Sequence, residues 1–383
     1  MASQGALPWQ GAPSAAPPAA PPPAASVPGA GLALPGQAAA PARARPAAWE
    51  APDLRRWLQL ALAALWVLDA VLQYQPVMFT RGFGQMLAGA GAGNPAVVAE
   101  PIRWAAGIVE HNPAWTNASF ATIQLALGLG IAWRPVIRLA LAGSVIWSVA
   151  VWWFGEGLGG VLTPAASPLG EAPGAVILYA LLAVLLWPAA DRAAGRGSSF
   201  VAAGPLGPGV ARAAWVVLWG SLAYFAVLPA SRGAQAMHDM IAGMAAGEPD
   251  WLASVNRGAA SLLAGHGLAA SIALAAVFAV IAAGIFLPGR WVCVALVLAI
   301  VGSAAIWLVA QDLGEILTGG STDVNSAPLL IALALAYWPL RAPGAAAASL
   351  GAGEPGAGLA AAGPGRPART AGTAGTTVTG GPS

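Results

Sequence analysis

The chain has 383 residues, 58% of them hydrophobic and only 8% charged, with a mean hydropathy of +0.69, where a soluble domain carries about 25% charged residues. All 17 basic residues are Arg, and a net charge of +2 spread over loops and ends makes no basic stripe, which excludes nucleic acid as a partner. The single cysteine, Cys293, lies in an apolar run. Intramolecular disulfides, CxxC redox pairs, thiolate zinc sites and CxxCH haem attachment are thereby excluded.

Residues 1 to 52, with PPAAPPPAA at 17 to 25, hold too few large apolar groups to offset the entropy of ordering and are predicted to be a disordered tail. They contain no continuous apolar stretch of signal-peptide type, so the first span is expected to be the targeting signal. Eight apolar stretches follow, at 57 to 75, 116 to 133, 137 to 154, 173 to 190, 213 to 229, 261 to 287, 291 to 310 and 326 to 340. Each is read as a crossing of a hydrocarbon core about 30 Å thick. The fold expected is an all-α polytopic membrane bundle of about eight transmembrane helices. It divides into a first four-helix unit at 53 to 190, a cytoplasmic linker at 191 to 212 and a second four-helix unit at 213 to 341. A Gly/Ala/Pro/Thr-rich tail, 342 to 383, is again expected to be disordered.

Arginine sets the orientation, because basic loops stay in the cytoplasm. With both termini inside, 13 arginines are cytoplasmic, among them Arg55, Arg56, Arg134, Arg138, Arg212 and Arg290, and only Arg81, Arg103, Arg232 and Arg257 lie outside. Most loop carboxylates then face outward, including Glu100, Glu110, Glu156, Glu171, Asp312, Glu315 and Asp323. The location expected is the plasma membrane of a bacterium, with the bilayer as the main partner and a membrane-protein partner or a second copy of the chain left open.

The chain also repeats. At an offset of 155 residues WWFGEGLGGVLT (152 to 163) overlies WLVAQDLGEILT (307 to 318), and the same offset pairs His111 with His266. Since each unit has an even number of spans, two copies share one orientation and are related by an axis along the membrane normal.

Candidate site residues follow from charge in an apolar setting. Asp69 lies in the first span, where a charged group at depth costs at least roughly 2.5 kcal/mol; it is read either as a functional acid or as a neutral or Arg-paired residue fixing helix packing. Glu156 follows an aromatic helix end and precedes GLGG, which lets the backbone turn; a cation-collecting acid and a solvated acid past a helix end are both open. His111 and His266 form a candidate outer-face proton or metal pair with Glu110 beside His111, or are polar helix-entry residues inherited by duplication. Asp312 completes the candidate pocket, with Gln311, Glu315 and Asp323 secondary to it. His238 and Asp239 are placed on an interfacial amphipathic helix.

No GxxxxGK[ST], GxSxG, HExxH or HxxxH occurs, and no metal or cofactor is expected. GFGQMLAGAGAG (82 to 93) has neither a preceding strand nor a Lys and is a poor phosphate loop.

The segments LWVLDAVLQYQPVMF (65 to 79), NASFATIQLALGLG (117 to 130), VWWFGEGLGG (151 to 160) and APGAVILYALLAVLLWP (172 to 188) resemble an uncharacterised family of multi-pass membrane proteins from GC-rich actinobacteria. In topology each unit is also similar to DoxX-like four-helix modules, a resemblance that implies a link to quinone or thiol redox. Three functions are therefore expected to compete: a permease with an outward-facing pocket between two units, a membrane scaffold for an envelope complex, and a DoxX-like subunit of a membrane oxidoreductase.

Overall fold

The computed structural model describes residues 53–188 and 199–340, so both expected tails and residues 191–198 of the expected linker lie outside the described residues. Among those described, the chain forms thirteen α-helices and no strand.

Helix α1 (Leu54–Leu72) opens on Asp53, whose side chain accepts a hydrogen bond from Arg56 N at 2.8 Å and so satisfies a free first-turn amide. Two outer helices follow, α2 (Arg81–Ala90) and α3 (Ala96–His111), packed on each other. The chain then continues through α4 (Pro113–Ala132), α5 (Ile137–Phe154) and α6 (Ala175–Leu185). A second series repeats this order: α7 (Ala203–Ala226), the outer helices α8 (Pro229–Arg232), α9 (Ala236–Met244) and α10 (Asp250–Leu263), then α11 (Gly267–Gly284), α12 (Arg290–Val309) and α13 (Ser326–Ala336). Helix α1 packs on α4 as α7 packs on α11, and α5 packs on α6 as α12 packs on α13. The short helices α6 and α13 meet each other, and their leucines (Leu178, Leu182, Leu329, Leu333) belong to the main buried cluster.

Four helical segments are long and apolar enough to cross a membrane: Arg134–Phe154, Ala203–Ala226, Gly267–Gly284 and Arg290–Val309. The expected spans at 173 to 190 and 326 to 340 shorten to eleven-residue helices. At 1.5 Å per residue each reaches about 16 Å, half a hydrocarbon core. Gly174 (φ 109°) delays α6 by two residues, α13 starts at the expected residue, and both stop early, at Leu185 and Ala336, ahead of Pro188 and Pro339, because the residue before a proline is steered out of the helical conformation. Helix α7, in contrast, begins ten residues before the expected 213, with a kink at Gly207 (φ 80°) ahead of Pro208. Proline suits a first helical turn because its missing N–H would be unpaired there anyway.

Both ends of the bundle are tied down by side chains. At one end Arg55 donates to Trp187 O at 2.9 Å and to Val201 O at 2.7 Å, and Arg56 donates to Ile131 O at 3.1 Å. These guanidinium groups meet the carbonyl ends of α6 and α4, where positive charge is favourable. At the other end Asn117 Nδ2 donates to Gln73 O at 2.6 Å, joining the start of α4 to the end of α1, while Ser271 Oγ donates to Ala226 O, joining the start of α11 to the end of α7. Close approach of α1 and α4 depends on Gly128, where a Cβ would come within 2.8 Å of Ala63 O.

The same backbone turn follows α5 and α12. Residues 157–160 all have positive φ (55°, 59°, 61° and 67°), as do residues 312–315 (44°, 55°, 80° and 52°). Their hydrogen bonds also recur 155 residues apart. Glu156 N and Gln311 N donate to Val151 O and Ile306 O at 3.0 and 3.1 Å. Gly159 N and Gly314 N donate to Glu156 O and Gln311 O at 2.9 and 2.6 Å, and Thr163 Oγ1 and Thr318 Oγ1 donate to Gly160 O and Glu315 O at 2.8 and 2.7 Å. Non-glycine residues in this conformation cost roughly 1–2 kcal/mol each, so Leu158, Asp312, Leu313 and Glu315 stay there only because their surroundings hold them. One such hold is an indole: Trp152 Nε1 donates to Pro173 O at 2.7 Å, and Trp307 Nε1 donates to Val324 O at 3.0 Å.

Candidate functional site

A cavity of about 600 Å³ opens among α1 to α6 at the end opposite Arg55 and Arg56. Helical spacing supplies its walls. Trp66, Asp69 and Gln73 lie on one face of α1, and Thr116, Phe120 and Gln124 on one face of α4, at intervals of three and four residues. Trp147, Val151 and Phe154 come from α5, Tyr179 from α6, and Phe83, Met86 and Trp104 from the outer helices α2 and α3. Thr322 and Asp323, from the loop before α13, reach in from the second series.

Asp69 is the least exposed acid of the cavity, at 1%. The hydroxyl of Tyr179 adjoins it within reach of a hydrogen bond, whereas Gln73 Oε1 and Gln124 Oε1 are buried without a partner. A buried polar atom left without a partner costs about 1–3 kcal/mol. Such atoms around one cavity mark a site that water or a ligand completes.

Glu156 reaches this cavity because the left-handed turn folds it back over the start of α6. Its Oε1 accepts from Val176 N at 2.9 Å, among the free amides of a helix start where an anion is favoured, and its Oε2 is buried without a partner. Glycine is needed opposite: a Cβ on Gly174 would lie 2.4 Å from Glu156 Oε2. Asp323 is held by Asn325 N on Oδ1 at 2.8 Å and by the Thr322 hydroxyl on Oδ2 at 3.0 Å. Asp69, Glu156 and Asp323 therefore share one cavity, and no Arg or His lines it.

The other sequence candidates lie elsewhere. His111 ends α3 and His266 caps α11; both are exposed, and His266 Nδ1 lies 2.8 Å from Ala264 O. They occupy corresponding helix junctions, but the structure brings neither to the cavity nor to each other's ligands. Glu110 packs its side chain against Gly84 of α2 and does not line the cavity. Asp312, Gln311 and Asn325 form a second polar cluster. There Asn256 Nδ2 donates to Asp312 Oδ1, Gln311 Nε2 donates to Ser326 Oγ at 2.8 Å, and burial pushes Asp312 up to about 6. Glu315 is exposed beside it. His238 and Asp239 pair at 2.9 Å on the exposed side of α9. No group of three or more His, Cys, Asp or Glu suited to a metal occurs among the described residues.

Sequence reasoning missed Gln73, Gln124 and Tyr179. Gln73 stands four residues after Asp69, and Gln124 is alone in an apolar run, so both carried a signal. Tyr179 gave none, since one hydroxyl among leucines is ordinary. Comparison with known proteins adds no relative: no family model, no curated protein and no solved structure matches the chain.

Proposed function

We propose that the chain is a permease-like protein of a bacterial plasma membrane, built from two tandem four-helix units in the same orientation, with its substrate site at the outer end of the first unit. Eight helices enter the membrane in this reading: α1, α4, α5 and α6, then α7, α11, α12 and α13. Helices α6 and α13 cross half the depth, and the irregular segments before them supply the rest through their packed parts, 166–169 and 321–325, while 162 and 317–319 are exposed. Support for duplication is the 155-residue recurrence of the left-handed turn and its hydrogen bonds. Support for the orientation, with the termini cytoplasmic, is that Arg55 and Arg56 cluster at the end opposite the cavity. The pocket lies within the first unit and takes only Thr322 and Asp323 from the second, so it differs from one formed equally between the two.

The observation that carries the reading is Asp69: a buried carboxyl with no cationic side chain beside it, facing a cavity large enough for a small organic molecule. The test is solute-induced current on proteoliposomes adsorbed to a solid support, screened with cationic, neutral and anionic organic solutes. A transporter gives a current for at least one class that Asp69→Asn and Glu156→Gln abolish. Currents absent for every class, or unchanged by both substitutions, would set the reading aside.

A further inference from the structure

The lining of the cavity carries information about what fits it. Seven aromatic rings face it (Trp66, Phe83, Trp104, Phe120, Trp147, Phe154 and Tyr179), together with three carboxylate residues and no cationic one. Acids sharing one low-dielectric space repel each other, and burial without a counter-charge is costly. A cation relieves both, and ring faces are negative, so a cage of aromatic side chains favours an organic cation whose charge is spread over an apolar body. A small, strongly hydrated metal ion would leave most of these aromatic and aliphatic walls unused.

The rim says how such a molecule arrives. Met86, Trp104, Ile108 and Phe154 are the lining residues that are also well exposed, Trp104 by 67%, and all four are apolar. The acids lie behind them. An entrance ringed by tryptophan, phenylalanine, isoleucine and methionine admits a solute dissolved in the outer leaflet more readily than one in water.

We propose that this cavity binds a lipophilic organic cation, taken from the outer leaflet through the Met86–Trp104–Ile108–Phe154 rim, with Asp69 as its counter-charge and the surrounding rings as its cage. This rests on the substrate-site reading above and names its chemical class. The probe is tetraphenylphosphonium, with tetraphenylborate as an anion of the same shape, titrated calorimetrically into the purified full-length protein in detergent against a protein-free micelle blank.

Tetraphenylphosphonium is expected to bind saturably at one site per chain, while tetraphenylborate shows only micelle partitioning. Asp69→Asn should weaken the cation at least tenfold, Asp69→Glu should restore most of it, and Trp104→Ala should weaken it by roughly threefold to tenfold. His238→Ala, on the far surface of α9, should change nothing. Equal binding of the two ions, or cation binding that survives Asp69→Asn, would overturn the proposal, and the ion comparison on the unaltered protein stands even if a variant fails to fold. The two readings fail separately. A current from neutral or anionic solutes that needs Asp69, with no phosphonium binding, removes the cation class and leaves the permease; saturable phosphonium binding with no current from any solute does the reverse.

Discussion

The turns after α5 and α12 share backbone angles and hydrogen bonds, yet their surroundings differ. Behind the first, Glu156 stands over a cavity that also holds Asp69; behind the second, Gln311 bonds Ser326 and Asp312 bonds Asn256. The position matching Asp69, set by the pair Trp66 and Trp219, is Leu222, which is 3% exposed in the main apolar cluster. The backbone device is thus independent of what it encloses. In the second region the acid Asp312 has a neutral amide donor, Asn256, whereas Asp69 faces the cavity with no amide hydrogen-bonded to it and needs a cation, a proton or water there.

The strongest way to break this contrast is to move the acid. Leu222→Asp puts a carboxyl among the buried apolar side chains around Leu222 and is expected to destabilise by on the order of 3 kcal/mol or more, read as a lower unfolding temperature in detergent. Asp69→Leu should instead leave that temperature equal or higher while abolishing ligand binding, because it removes a buried carboxyl that has no cationic partner. A Leu222→Asp protein as stable as the parent would show that the two positions are equally open to water.

Next in size is the turn itself. A Cβ at Gly159 would lie 2.1 Å from Pro173 O, whereas at Gly160 the nearest atom is 3.6 Å away, and both residues have positive φ. Gly160→Ala should cost about 1 kcal/mol, the penalty of the left-handed region alone. Gly159→Ala should cost several times more, since the Pro173 segment must move as well. Equal thermal shifts for the two would mean that the packing of this loop is not what fixes the turn.

Smallest of all, His111→Ala and His266→Ala should each change stability by no more than about 0.5 kcal/mol, as exposed positions do, and leave ligand binding intact.

These contrasts bear on how far the sequence could be read. Apolar runs located a helix at each expected stretch, because helix-length hydrophobic segments have few other ways to satisfy their backbone. They overestimated α6 and α13 at their C-terminal ends, because apolar residues continue past the point where Pro188 and Pro339 stop the helix. Asp69 and Glu156 were visible as charges in apolar context. The histidine pair shows the opposite case: matching positions 155 residues apart say nothing about which way a side chain points, and both are exposed. Gln124 and Tyr179 became site residues only through their neighbours, since lipid-facing and cavity-facing sides of a uniformly apolar helix read alike.

The most direct test of the central claim, an open cavity beside Asp69 and a closely packed apolar setting at the matching Leu222, uses thiol accessibility. In a Cys293→Ser background, Gln124→Cys places a thiol on the cavity wall, and Phe278→Cys places one at the corresponding buried position of α11. Methanethiosulfonate ethylammonium is added to the outside of intact cells. The account predicts rapid labelling of the Gln124→Cys protein, slowed by tetraphenylphosphonium, and little labelling of the Phe278→Cys protein. Equal labelling of both, or labelling at Gln124→Cys only from the cytoplasmic side, would contradict it.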